Sequence, residues 1–158
     1  MTEEHRSELL KFQQGEMNGV ETYLMLAKTV HNETDVRTFK SLAADEGRHA
    51  SVFKKYTGEV VTPNKTQAYL VAALYHLLGK KMVYPLIGKG EYSTVPEYEE
   101  WAKTYPEVEA VKNDEKRHGD TLNELLDNGE YNDTPKLPII VLAVSAMILL
   151  FKIIKRNH

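Results

Sequence analysis

Cysteine is absent from all 158 residues. Its absence excludes disulfides, zinc–thiolate sites, iron–sulfur clusters and any four-cysteine iron centre. Metal chemistry, if the chain has any, must use oxygen and imidazole ligands. Residues 1–11, MTEEHRSELLK, lack the apolar run of a secretory signal. A basic patch is missing as well. All 23 acidic residues, and all but three of the 20 Lys and Arg, precede position 137, so that portion carries about −6 by formal count. Such an acidic body argues against nucleic acid as a partner. One long apolar run exists, residues 137–154, LPIIVLAVSAMILLFKII, with Lys152 its single charge. As a helix it would extend roughly 27 Å, close to the hydrocarbon thickness of a bilayer. Lys136, Lys155 and Arg156 flank it and, with Lys152 near its end, can reach headgroups. The run predicts a single C-terminal transmembrane helix; a buried core helix is the alternative.

What the chain does have is a short motif, twice. Asp45-Glu46-Gly47-Arg48-His49 returns as Asp114-Glu115-Lys116-Arg117-His118. Within each D-E-x-R-H the Glu and His stand three positions apart, on one face of a helix, where both can reach one metal ion. The Asp and Arg of each copy flank that face and are expected at the surface or beside the ligands rather than among them.

Helical periodicity surrounds both copies. From Ser7 to about Val30 the apolar stripe is Leu9, Phe12, Val20, Tyr23, Ala27 and Val30, and Glu16 falls on it. A carboxylate on a core-facing stripe is costly unless paired or bound to a cation. Glu8 and Glu21, at polar positions, read as solvated. A second helix, capped by Thr34 or Asp35, runs to about Tyr56 and stops at Gly58. Glu46 and His49 lie on its stripe with Phe39, Leu42, Ala43, Ala50 and Phe53. Residues 66–78 form an apolar helix too short to span a membrane, read as a crossover helix or a surface for a second subunit. Gly79, Pro85, Gly88 and Gly90 make the following backbone hard to assign. Residues 91–105 read as helix despite Pro96, with Glu91 in register with Val95, Tyr98, Ala102 and Tyr105. Residues 107–126 carry Glu115 and His118 between Val108, Val111, Leu122 and Leu125.

The chain therefore repeats itself. Gly15-Glu16 matches Gly90-Glu91, and in both halves the Tyr (Tyr23, Tyr98) follows the Glu by seven positions. Each half is a helical hairpin of Glu, then Tyr, then Glu-x-x-His. Two helices giving a Glu each, and two giving Glu-x-x-His, form the ligand set of ferritin-like di-metal bundles. Carboxylates and imidazoles suit iron or manganese. A bundle with four buried Glu and two satisfied core His is the bland alternative. Tyr23 and Tyr98 pack in the core or donate hydrogen bonds to ligand carboxylates.

The G-E-x6-Y and E-x-R-H patterns resemble the rubrerythrin branch of the ferritin-like superfamily, over residues 9–126. Residues 68–118 also resemble the ferritin-like domains attached to vacuolar-iron-transporter-type membrane proteins. The resemblance implies an all-α fold, a ferritin-like four-helix bundle with an extra crossover helix, to which the sequence adds the C-terminal single transmembrane helix. It implies a centre of two iron ions, with manganese possible, held by Glu16, Glu46, His49, Glu91, Glu115 and His118, and no catalytic residue beyond these. Rubrerythrins often take a further Glu three positions past the one at Glu91; this chain has Thr94 there, and Glu97 is a weak substitute.

The domain expectation is a bundle over 1–128, a linker over 129–136, the membrane helix over 137–154 and a tail over 155–158. The expected activity is rubrerythrin-like peroxidase or ferroxidase chemistry at a membrane, with oxygen or hydrogen peroxide as oxidant and an external electron donor. A di-iron hydroxylase acting on a membrane quinone or lipid is one alternative, and a non-enzymatic iron sensor or delivery adaptor another. A homodimer through the 69–78 helix is expected, with the bundle on the cytoplasmic side of the bilayer.

Overall fold

The computed structural model describes residues 1–127. Five α-helices follow in order: α1 Glu3–Thr29, α2 Glu33–Thr57, α3 Thr66–Leu78, α4 Lys80–Ala102 and α5 Val108–Asp127. Thr2 caps α1 through its side chain, and Asn32, rather than Thr34 or Asp35, caps α2 by accepting from the Thr34 and Asp35 amides. Gly58 ends α2 at φ 70°, a left-handed conformation that glycine adopts without a Cβ penalty.

Pairing of the helices sets up the site. Short connections place α1 against α2 and α4 against α5, and the two hairpins join where α2 meets α5. The backbones of α1 and α4 do not approach closely; α3 packs against both and bridges that side. Two apolar clusters fill the bundle. One contains Tyr23, Leu26, Phe39, Leu42, Val71, Leu74, Val83, Tyr84 and Leu122. The other contains Leu9, Phe12, Phe53, Tyr98, Tyr105, Val108 and Val111. Between them lies a layer of buried carboxylates and imidazoles.

α4 differs most from expectation, since it starts at Lys80 and runs through both Pro85 and Pro96. A proline removes only one backbone hydrogen bond, and neighbours offset the disruption. Lys80, Val83, Tyr84 and Gly88 are buried, and the buried Lys80 ammonium reaches the Leu125 carbonyl at 3.0 Å. Gly88 lies against the Gly119 backbone, where a Cβ would stand 3.4 Å from the Gly119 carbonyl oxygen. Near Pro96, the Ser93 and Thr94 hydroxyls donate to the Gly90 and Glu91 carbonyls at 2.6 and 2.7 Å.

The expected fold class is corrected in one respect. Among the described residues no helix is long and apolar enough to cross a membrane. The most apolar helix, α3, has 13 residues, and the longer helices carry charged residues along their outer faces. The described fold is thus a five-helix bundle without a membrane-spanning helix. Residues 128–158, where the linker, membrane helix and tail were expected, lie outside the described residues.

Candidate metal centre

Four helices deliver the polar layer: Glu16 from α1, Glu46 and His49 from α2, Glu91 from α4, Glu115 and His118 from α5. The structure brings all six together. One ligand-capable atom from each of Glu16, Glu46, His49 and Glu115 lies within 4.8 Å of the others, and the same holds for Glu46, Glu91, Glu115 and His118. Glu46 and Glu115 belong to both groups. The two imidazoles stack, with ring centroids 5.4 Å apart.

Both rings present Nδ1 to the carboxylates. His49 Nδ1 lies 3.2 Å from Glu16 Oε2 and 3.1 Å from Glu115 Oε1. His118 Nδ1 lies 3.1 Å from Glu46 Oε1. The far nitrogens meet the aspartates of the opposite motif copy. His49 Nε2 is 3.1 Å from Asp114 Oδ2, and His118 Nε2 is 3.3 Å from Asp45 Oδ2. A ring whose Nε2–H donates to carboxylate turns its Nδ1 lone pair toward the centre, as metal-bound histidines require. Arginines hold these aspartates in turn: Arg117 reaches Asp45 at 2.8 Å and Asp114 at 2.6 Å, and Arg48 pairs with Asp45. The tyrosines cross over too. Tyr23 on α1 donates to Glu91 on α4, and Tyr98 on α4 donates to Glu16 on α1.

Burial dominates the electrostatics. Desolvation first, and then the neighbouring carboxylates, push Glu46, Glu91 and Glu115 above the usual range. Desolvation, followed by nearby glutamates, also pushes the Tyr23 and Tyr98 hydroxyls well up, so they stay protonated donors. For His49, burial works against the charged form, but the Glu115 and Glu16 carboxylates beside its ring outweigh it and carry the pKa up to about 10. His118 falls to about 4, through burial above all and the nearby His49 charge. Burial also opposes ionisation of Asp114, yet hydrogen bonds from Arg117 and His49 hold it below its usual range.

The residues fit divalent metal ions. Glu46 Oε1, Glu115 Oε1 and His118 Nδ1 are buried and lack any hydrogen-bond partner. An unpaired polar atom in the interior is expensive, and a cation within these groups would satisfy all three. The donor set of oxygens and imidazole nitrogens suits iron or manganese.

A protein-family model described as rubrerythrin matches residues 9–126. The chain belongs to the rubrerythrin family. It is thus part of the ferritin-like di-iron superfamily, a family that binds iron, and it carries a carboxylate–histidine cluster able to hold metal. No curated protein and no solved structure matches significantly, and nothing found bears on the narrower resemblance to vacuolar-iron-transporter-type domains.

Three features of this rubrerythrin-family site were not foreseen from the sequence. The first is the cross-pairing of Asp45 and Asp114, whose signal was the Asp repeated in both motifs. The second is Gly19, where an added Cβ would fall 2.2 Å from Glu46 Oε2; the glycine makes room for that carboxylate. Thr94 is the third. It holds the equivalent place in the second half, three positions past Glu91, and its hydroxyl lies 3.2 Å from Glu115 Oε2. Glu97, one turn further on, is exposed at the rim of the cavity beside the site.

Proposed function

We propose that the paired groups hold two iron ions and that the chain reduces hydrogen peroxide to water with electrons from a separate donor. The observation that carries this reading is the overlap of two four-residue groups through Glu46 and Glu115, with three unpartnered buried atoms among them. Two ferrous ions held by Glu16, Glu46, His49, Glu91, Glu115 and His118 would supply two electrons together, the chemistry that cleaving peroxide without a one-electron radical step requires. The chain's own residues prepare the ground. Tyr23 and Tyr98 hold one oxygen each of Glu91 and Glu16, which leaves the other oxygen of each carboxylate to face the centre. Asp45 and Asp114 set the orientation of the two imidazoles. The electron donor must be another molecule or another domain, since a chain without cysteine cannot build a thiolate-ligated iron centre.

The test is anaerobic loading with ferrous iron, followed by hydrogen peroxide or oxygen while ferric absorbance is recorded. Rapid oxidation by peroxide and slow oxidation by oxygen is the expected result. The reverse order would replace this reading with a ferroxidase. Bound iron that neither oxidant touches would end it.

A further inference from the structure

Hydrogen peroxide needs little more room than a water molecule, about 30 Å³ in the liquid. The cavity on the α1–α4 side is far larger, about 230 Å³. Its lining is mixed. Glu16, Glu46, Glu91 and Glu115 belong to it, Val71, Leu74, Val83, Leu86 and Ile87 of α3 and α4 supply an apolar stretch of wall, and polar residues such as Lys11, Gln67, Ser93 and Glu97 complete it. Val71, Leu74 and Val83 are buried, and Leu86 and Ile87 are half-buried. Gly15 and Gly90, the residues just before Glu16 and Glu91, also line it, and a Cβ on either would meet nothing within 4 Å. Small residues at matched positions of the two halves keep this side open beside the carboxylates.

A space that has metal-competent carboxylates and an apolar stretch of wall fits a molecule joining a polar head to an apolar tail. We propose that the cavity receives an organic hydroperoxide, its O–OH group at the carboxylates and an unbranched alkyl tail along Val71, Leu74, Val83, Leu86 and Ile87. The inference rests on the peroxide-reducing reading above and names a second substrate class for that same site. In the reaction the O–O bond breaks. R–O–OH takes up two electrons, from the same external donor, and two protons, and gives R–OH and water. The product alcohol differs from the substrate by one oxygen and is an unreactive probe of the same cavity.

The experiment uses the full chain, with and without ferrous iron, in two arms. In the first, 1-octanol is titrated calorimetrically. Saturable binding with a negative heat-capacity change, the mark of apolar burial, is expected. Gly90→Leu, which places a side chain in the cavity from an open position, and independently Leu86→Trp, should each weaken it by about tenfold or more. In the second arm, octyl hydroperoxide and hydrogen peroxide are compared as oxidants of the iron-loaded protein. The ratio of their kcat/KM values should fall about tenfold in the same variants. Absence of saturable octanol binding, or equal affinity in the parent and both variants, would overturn the inference. Reduction of hydrogen peroxide without octyl hydroperoxide would overturn it too, while leaving the proposed function standing. If neither peroxide is reduced, both fall together.

Discussion

His49 and His118 hold the same place in two copies of one motif, yet their proton affinities part widely. His49 is raised to about 10 and His118 lowered to about 4. Burial disfavours the charge on both, so burial alone cannot separate them. Their neighbours do. His49 Nδ1 completes a hydrogen bond with Glu16, whereas His118 Nδ1 approaches Glu46 without completing one. Once His49 is charged, its stacked neighbour is pushed further toward neutrality. A repeated sequence has given a site of near two-fold form whose metal-free charge is lopsided. A local motif specifies which atoms are present; the opposite hairpin decides what they do.

The sharpest way to break the comparison is to remove a residue shared by both halves. Glu115→Ala should abolish binding of the whole metal pair, because Glu115 belongs to both groups. Glu16→Ala should leave the group containing His118 intact and able to hold one ion. Metal analysis after equilibrium dialysis distinguishes these outcomes, and equal losses in the two variants would refute the shared role.

Next in size are the crossed aspartates. Asp45→Asn and Asp114→Asn should each weaken metal affinity roughly 10- to 100-fold, since the partner of a ligand's far nitrogen tunes its orientation and basicity. Competition with a chelator measures it. Asp114→Asn should act on the ion nearer His49, and Asp45→Asn on the one nearer His118.

Gly19 and Thr94 make a third contrast. Gly19→Ala would force the Glu46 carboxylate aside, so metal affinity should fall about tenfold or more, in line with other disturbed ligand shells. The metal-free protein should change by no more than about 1 kcal/mol, because the displaced group is the far end of a flexible side chain and alanine favours helix. Thr94→Ala removes a hydroxyl and introduces no clash, so its effect on affinity should be the smaller of the two. Chelator competition and thermal melts of both forms check this pair.

A last contrast lies in pH dependence. His49 binds its proton more tightly in the folded chain, at about 10 against an ordinary 6.5. Its contribution to stability is therefore complete below pH 6.5 and is lost as pH rises toward 10. The raised Glu46, Glu91 and Glu115 act in the same direction as they ionise. His118, depressed to about 4, is neutral in the folded state throughout, and its unfolded form finishes deprotonating just above pH 6.5, so its opposition is confined to the bottom of this window. The metal-free protein should thus fall in melting temperature between pH 6.5 and 10. The metal-loaded protein, its carboxylates neutralised by cations, should lose less. A flat metal-free profile would show that the two histidines do not differ as described.

Much of this arrangement was readable in the amino acids, for a definite reason. Glu16, Glu46, Glu91 and Glu115 sit on apolar stripes, and the stripe by itself declares which face of a helix is buried. The seven-residue step to Tyr23 and Tyr98 placed each hydroxyl two turns from a Glu of its own helix. It could not say that each would donate to the Glu of the other hairpin, because periodicity describes one helix at a time. Asp45 and Asp114 escaped for the same cause: they border the ligand face of their own helix and meet their histidines only across the α2–α5 contact. The backbone of 79–90 was unreadable because its glycines and Pro85 oppose helix locally, and the α4–α5 packing at Gly88 and Gly119 prevails.

The crossing of these bonds bears on how the chain assembles. Each four-residue group draws ligands from both hairpins, and the polar groups that orient them come from the hairpin opposite. A separated hairpin has no complete set. Any ion held in the docked protein is therefore lost when the halves part, and its binding free energy adds to the work of separating them. By mass action, free ion at 100 times its dissociation constant would contribute about 2.7 kcal/mol per site against opening. The availability of metal in the surroundings would then govern how often this bundle comes apart, independently of any reaction it performs.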